Sequence, residues 1–248
     1  MTWVLDLDGV VWLAEQPIAG ASEAVARLRA AGRRVLFATN NSAVRVGEQE
    51  AKLARHGIDS RGDVVTSAMA AARLVEPGER VLVCGGPGVV EAVAARGAMA
   101  LRDGDADVVM VGFDRGFDYE RLRLAARAVD RGARLIATND DATYPTPDGP
   151  IPGGGALVAA VAYATGVTAT VAGKPHPPMA DLVRALGGAE GTMVGDRPAT
   201  DGAFARELGY RFALVLTGVT GASDLPVVPA PDVVADSLAD LVAREHPR

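Results

Sequence analysis

The sequence predicts an α/β protein built on parallel sheets, and three observations carry that expectation. Short β-rich runs alternate with Ala-, Arg- and Leu-rich stretches of helical period. Gly, Asn or Asp punctuates each switch. Several of the runs are apolar throughout, as strands buried on both faces of a parallel sheet are, whereas half-exposed antiparallel strands alternate.

Taken in order, the expected strands are Trp3 to Leu7, Arg34 to Ala38, Val81 to Cys84, Val108 to Val111, Leu135 to Ala137, Thr168 to Ala172, Thr192 to Val194 and Phe212 to Leu216. The expected helices are Ser22 to Ala31, Ala43 to Arg55, Val89 to Ala95, Tyr119 to Arg131, Gly155 to Thr165, Pro178 to Leu186 and Asp201 to Leu208. No fixed-period repeat is evident.

With 248 residues, 49% hydrophobic and 23% charged, the chain is long enough for a real core and has an ordinary globular composition. Its net charge of -6 removes the broad positive field that non-specific nucleic-acid binding needs, so nucleic acid is not an expected partner. A single cysteine, Cys84, excludes an intrachain disulfide and a cysteine zinc site, which fits a reducing compartment and predicts a cytoplasmic location. No apolar run approaches the ~18 residues of a membrane span, and the start Met1-Thr2-Trp3-Val4-Leu5-Asp6 does not read as a signal peptide. Neither a membrane nor a leader is expected.

Four segments at strand ends carry the chemistry. Asp6-Leu7-Asp8-Gly9 follows the first apolar run and puts two carboxylates at or past a strand's carboxyl end, where open α/β sheets bind ligands. Taken alone it also fits a solvated turn or a calcium-type loop. Thr39-Asn40-Asn41-Ser42 leads from a buried-type strand into a helix and offers hydroxyl and N–H donors to an anion, or simply caps the helix. Gly173-Lys174-Pro175 holds one of only two lysines, Lys52 being the other, among 25 basic residues. A lysine locked between Gly and Pro suits a phosphate or carboxylate, although a surface loop would also accept it. Gly195-Asp196-Arg197-Pro198-Ala199-Thr200-Asp201 supplies two more aspartates. Asp201 could cap its own helix, while Asp196 has no equally good bland role. Trp12, beside the first segment, reads as packing.

Carboxylates crowded to about 4 Å repel by roughly 4 kcal/mol per pair at an effective dielectric near 20, so a cluster of Asp6, Asp8 and Asp196 calls for a cation. Hard oxygen ligands, few in number, favour magnesium over calcium, and three scattered histidines build no zinc site.

With these residues in order, the chain resembles the haloacid dehalogenase superfamily over nearly its whole length. It is most similar to the phosphatases with an inserted α/β cap, which include nucleotidases, 4-nitrophenylphosphatases and the phosphoglycolate, pyridoxal and glycerol phosphate phosphatases. Supporting segments are Val111-Gly112-Phe113-Asp114, Ala137-Thr138-Asn139-Asp140-Asp141, Ile151-Pro152-Gly153-Gly154-Gly155 and Leu216-Thr217-Gly218-Val219.

The resemblance implies a Rossmann-like core from residues 1–77 and 172–248, with a cap at 78–171. It implies a magnesium-dependent phosphatase in which Asp6 forms an aspartyl-phosphate and Asp8 is the general acid/base. Asp6, the Asp8 backbone carbonyl and Asp196 would hold Mg2+, with Asp201 supporting them from behind. Thr39, Asn40, Asn41 and Lys174 would hold the phosphate. Asn139, Asp141 and Tyr144, in the loop from Thr138 to Pro145, would face the leaving group, and a homodimer would form through the cap.

Expected substrates are small phosphate monoesters: phosphoglycolate, glycerol phosphate, nucleoside monophosphates, pyridoxal phosphate or 4-nitrophenyl phosphate. Ala199 stands where many relatives carry an extra acidic residue, which alters the metal's outer environment, and Ala43 where many carry a polar or basic one, which removes a potential substrate contact, so the substrate of no single relative transfers. The competing functions are a non-catalytic phosphate-ligand sensor and a dehalogenase-type hydrolase.

Overall fold

A computed structural model describes residues 1–14, 16–144, 146 and 149–246. The chain divides into two compact units, one of Met1–Thr39, Gly47–Val65 and Lys174–Arg248, the other of Asn40–Val46 and Thr66–Gly173. These units meet along the chain at 65/66 and 173/174, and the short segment 40–46 goes with the second unit.

The first unit is built on a six-stranded sheet, in the order Val233–Ala235, Arg211–Val215, Gly191–Gly195, Thr2–Leu5, Arg34–Thr39, Val64–Thr66. Thr2–Leu5 sits in its middle and runs parallel to both neighbours, with Leu5 opposite Val194 on one side and Phe37 on the other. All four of its residues are buried, as the apolar run of residues 3–5 predicts. The chain first winds outward through Arg34–Thr39 and then returns to the other side through Gly191–Gly195. The connections therefore reverse between Thr2–Leu5 and Gly191–Gly195, the point where an open α/β sheet leaves a crevice at its carboxyl edge.

Helices cover this sheet with stripes at three- and four-residue spacing: Ala21, Ala24, Val25 and Leu28 of Ala21–Ala30, and Met179, Ala180, Leu182 and Val183 of Pro177–Gly187. The last helix, Leu238–Glu245, buries Leu238, Leu241 and Val242 and is capped by Ser237, whose Oγ accepts from the Asp240 N–H at 3.1 Å.

The second unit holds a five-stranded sheet, in the order Thr170–Val171, Arg134–Ala137, Val108–Val111, Arg80–Cys84, Met99–Leu101, with every neighbouring pair parallel. Leu82, Cys84, Val109, Val111, Leu135 and Ala137 pack on Ala125 and Val129 of the helix Tyr119–Asp130 and on Val158 and Val161 of Gly154–Thr165. Asp118 caps the former, its Oδ1 accepting from the Arg121 N–H at 2.8 Å. No helix among the described residues is long and apolar enough to cross a membrane.

Three boundaries differ from expectation for local reasons. The helix expected from Ala43 starts at Val46, because Asn41 Oδ1 takes the Ala43 N–H at 3.0 Å and holds a turn there, while Glu91 Oε2 accepts the Val46 N–H at 2.9 Å. The helix expected from Asp201 opens with a wide turn over Pro198–Gly202 before Ala203–Leu208. The strand expected over Thr168 to Ala172 shortens to Thr170–Val171 at the sheet's edge.

Candidate active site

The crevice is furnished by the residues that follow its two bordering strands. Parallel pairing aligns those strand ends, and the Asp6 N–H donates to the Val194 carbonyl at 2.9 Å. Asp6 and Asp196, separated by most of the sequence, are thereby brought together. Asp201 joins them from the turn Pro198–Gly202, and one carboxylate oxygen from each of Asp6, Asp196 and Asp201 lies within 4.8 Å of the others.

The sequence pointed to Asp6, Asp8 and Asp196 as the carboxylate cluster. The structure puts the Asp201 side chain in that group in place of the Asp8 side chain, which turns to accept a hydrogen bond from Trp12 Nε1 at 3.0 Å.

Lys174 binds the group together. Its ammonium, in a side chain 2% exposed, donates to Asp6 Oδ1 and to Asp201 Oδ1, both at 2.8 Å. Asp201 Oδ2 accepts the Arg197 N–H at 3.2 Å, so both oxygens of Asp201 are engaged. Asp196 differs. Its Oδ2 accepts the Val219 N–H at 2.6 Å, while its Oδ1 is buried with no hydrogen-bond partner among the described residues.

Glycines make room for Asp196. Gly9, with φ of +82°, turns the chain after Asp8, and a Cβ on it would overlap the Asp196 carboxyl group. Gly218 approaches the same carboxylate from the loop that carries Val219. Thr217 ties the two glycine loops together, its hydroxyl donating to the Gly9 carbonyl at 2.6 Å.

The electrostatics follow from crowding in a dry place. Burial raises the Asp6 carboxyl well above the usual range; Lys174 opposes this, and Asp201 and Asp196 add to it. Burial, then Asp201, pushes Asp196 up to about 6. Asp8 is also raised by burial, against the pull of the Trp12 hydrogen bond. Burial pulls the Lys174 ammonium down, but Asp201 and Asp6 outweigh it and the ammonium is held firmly protonated.

Three carboxylates against one ammonium leave excess negative charge, and a buried carboxylate oxygen without a partner costs free energy unless a cation meets it. Both observations fit a hard divalent ion held by oxygen ligands. Asp6 and Asp196 have an oxygen to give it, while Asp201 is committed to Lys174 and the Arg197 N–H.

Thr39, the buried last residue of Arg34–Thr39, belongs to the same unit as these residues. Asn40, Asn41, Asn139, Asp141 and Tyr144 belong to the other. There, Asn40 Nδ2 donates to Asp141 Oδ2 at 3.0 Å, and its carbonyl accepts from Ser67 Oγ and Asn139 Nδ2, both at 2.8 Å. Asn139 is 3% exposed and its Oδ1 accepts the Asp141 N–H, so both ends of its amide build the loop. Tyr144 stacks on Phe113 with ring centroids 4.8 Å apart. Pro145, the end of the expected loop, lies outside the described residues.

Two contributors are not marked by the sequence motifs. Trp12 reads as packing, though an indole four residues after Asp8 is a buried donor in need of an acceptor. Gly218 stands in the sequence only as part of the segment Leu216-Thr217-Gly218-Val219.

Comparison with known proteins finds a family and several relatives. A family model described as haloacid dehalogenase-like hydrolase matches residues 3–99, and a second model of HAD-like hydrolases matches 171–241. The D-glycerol 3-phosphate phosphatase of Mycobacterium tuberculosis is 39% identical over 229 residues, 89% of this chain; the chain spans 64% of that relative's length. An acid sugar phosphatase of Staphylococcus aureus is 34% identical over 90% of this chain and 89% of its own.

Among solved structures, a p-nitrophenyl phosphatase from Archaeoglobus fulgidus superposes with a TM-score of 0.92 at 30% identity, covering 98% of both chains. The mycobacterial glycerol phosphate phosphatase in complex with magnesium gives 0.89 at 37% identity, covering 97% of this chain and 75% of that one. The chain belongs to the haloacid dehalogenase-like hydrolases, among the phosphatases whose Rossmann-like core carries an α/β cap.

Proposed function

We propose that this chain is a magnesium-dependent phosphatase that hydrolyses small phosphate monoesters through an aspartyl-phosphate on Asp6. The observation that carries the reading is Asp6 at the sheet's crevice, with Lys174 on one oxygen and the unpartnered Asp196 oxygen in the same cluster. Names of relatives support the substrate class, since those proteins are a D-glycerol 3-phosphate phosphatase, an acid sugar phosphatase and a p-nitrophenyl phosphatase.

In this mechanism an Asp6 carboxylate oxygen attacks phosphorus while the bond to the leaving oxygen breaks. Asp8, raised by burial, protonates the leaving oxygen and later takes a proton from the water that cleaves the aspartyl-phosphate. Lys174 holds Asp6 in place and offsets charge on the transferred group, with Thr39, Asn40 and Asn41 as further phosphate holders. Asp6, the Asp8 carbonyl and Asp196 would hold Mg2+, which when bound neutralises the cluster and the phosphate oxygens. Asp201 keeps Lys174 where it is. Asn139, Asp141 and Tyr144 are the cap residues assigned to the leaving group, with Asn139 acting through the loop it builds.

A homodimer through the cap is supported by residues 149–173, which contain no charged side chain, and by Tyr163, 94% exposed on the helix Gly154–Thr165. A cytoplasmic location is supported by the lone buried thiol of Cys84.

The test is phosphate release from a panel of small esters with and without magnesium, followed by acid quench and peptide mapping. Magnesium-dependent release with phosphate on Asp6 is the expected result. Phosphate bound without turnover would identify a sensor, and full activity after exhaustive chelation would sink the metal assignment.

A further inference from the structure

We propose that Trp12 is a positioning residue for the general acid: its indole N–H makes Asp8 Oδ1 a permanent acceptor and leaves Oδ2 as the oxygen that delivers the proton. The inference rests on Asp8 being the acid of the phosphatase reading above.

Trp12 Nε1 stands 3.0 Å from Asp8 Oδ1 in a ring only 2% exposed. An indole N–H donates and cannot accept, and a proton on Oδ1 would make that oxygen the poorer acceptor. The bond is therefore strongest with Oδ1 unprotonated, which leaves Oδ2 as the oxygen to carry the proton. Such a bond also fixes the rotation of the carboxyl group, since leaving a buried donor without an acceptor is unfavourable.

The ring is itself held from several directions. The Trp12 N–H donates to the Leu7 carbonyl at 3.2 Å, and the Trp12 carbonyl accepts the Gly9 N–H at 2.7 Å, closing the loop that carries Asp8. Trp12 then opens a two-residue hairpin strand paired with Gln16–Pro17. Lys52 places its ammonium 4.2 Å from the ring centroid while donating to the Ala14 carbonyl at 3.0 Å, and the His56 ring lies 5.9 Å away, tilted. A cation over the ring draws electron density from it and strengthens the N–H as a donor. Packing alone requires none of these polar partners.

The step so arranged is balanced. As an Asp6 oxygen bonds to phosphorus and the bond to the leaving oxygen breaks, the Oδ2 proton passes to that oxygen and the alcohol departs. In the second half Oδ2 takes a proton from water while the water oxygen bonds to phosphorus and the aspartyl-phosphate bond breaks, restoring both aspartates.

The experiment replaces Trp12 by 3-benzothienylalanine, which keeps the bicyclic shape and lacks the N–H, alongside Trp12→Phe. For each, kcat/KM is measured on glycerol phosphate, whose alkoxide must be protonated as it leaves, and on 4-nitrophenyl phosphate, whose leaving group needs little help. The expected result is a fall of about 10- to 100-fold on glycerol phosphate, under about 3-fold on the nitrophenyl ester, with an unchanged inhibition constant for inorganic phosphate. Equal falls on both esters, or no fall on either in the folded benzothienyl protein, would overturn the positioning role alone. Absence of phosphate release by the unsubstituted protein would overturn the phosphatase reading, and this role with it.

Discussion

Gly218 faces Asp196 so closely that any side chain at 218 would occupy the place of the Asp196 carboxylate. Gly218→Ala must therefore swing Asp196 aside, breaking its bond to the Val219 N–H and moving the unpartnered oxygen. The expected outcome is a magnesium requirement raised about 10-fold or more, as is usual when a ligand's support is lost, with a stability cost of about 1–3 kcal/mol. Gly221→Ala, where a Cβ would meet its nearest neighbour at an ordinary 3.6 Å, is the control and should change neither. Magnesium titration of phosphate release, paired with thermal melting, decides between them.

The charge state of Asp196 predicts how magnesium and protons compete. Its carboxyl titrates near 6 in the metal-free fold, above the ordinary value of 3.8. Between those values the folded state holds a proton that the unfolded chain releases. This group's contribution to stability is therefore largest at low pH and is lost as pH rises through about 6. Magnesium binds the ionised form, so it gains little at pH 5 and most above 7. Thermal shifts induced by saturating magnesium should be several-fold larger at pH 7.5 than at pH 5.0, and Asp196→Asn should remove the difference. Equal shifts at the two pH values would contradict it.

The proposed mechanism gives the two aspartates of the first motif separable tasks. Asp6→Asn removes the attacking carboxylate, and a loss of about 10⁴-fold or more in turnover is expected, over about 5 kcal/mol in the barrier. Asp8→Asn keeps the nucleophile and should cost about 10²- to 10⁴-fold, less for 4-nitrophenyl phosphate while phosphoenzyme formation limits the rate. Near-normal turnover by folded Asp6→Asn would refute the mechanism.

Cys84 offers a probe of the cap unit that needs no activity. The side chain is fully buried in a strand, and burial pushes its thiol up to about 11. A neutral, enclosed thiol does not react with disulfide reagents. The native protein at pH 8 should release under about a tenth of an equivalent of chromophore from such a reagent over minutes, and one equivalent in denaturant. Rapid native labelling would show that the sheet around Arg80–Cys84 opens.

The sequence disclosed the sheets because the buried strands are apolar on both faces, Val108–Val111 and residues 3–5 of the central strand most plainly. It did not disclose Val64–Thr66, Met99–Leu101 or Val233–Ala235, because three residues are too few to show a period. For the site, motif order was enough to name Asp6, Lys174, Asp196 and Asp201. Side-chain direction was not legible: residue spacing places Asp6 and Asp8 near one strand end but does not say that one carboxylate joins Lys174 while the other meets an indole. The partition of Asp201 and Asp196, one saturated by donors and the other left with an open oxygen, likewise depends on loops that meet only in three dimensions.

The placement of Thr2–Leu5 between an early neighbour and a late one sets an order of assembly during synthesis. Its partner Arg34–Thr39 leaves the ribosome soon after it, but Gly191–Gly195 follows about 190 residues behind. At roughly 5–20 residues per second that is a wait on the order of 10 to 40 seconds, during which an apolar strand has one edge open to other chains. The strands of the cap sheet, all between Arg80 and Val171, are complete before that partner emerges. Until Lys174 and Asp196 arrive, Asp6 is an ordinary carboxylate on a nascent peptide, and the proposed nucleophile is synthesised first and armed last.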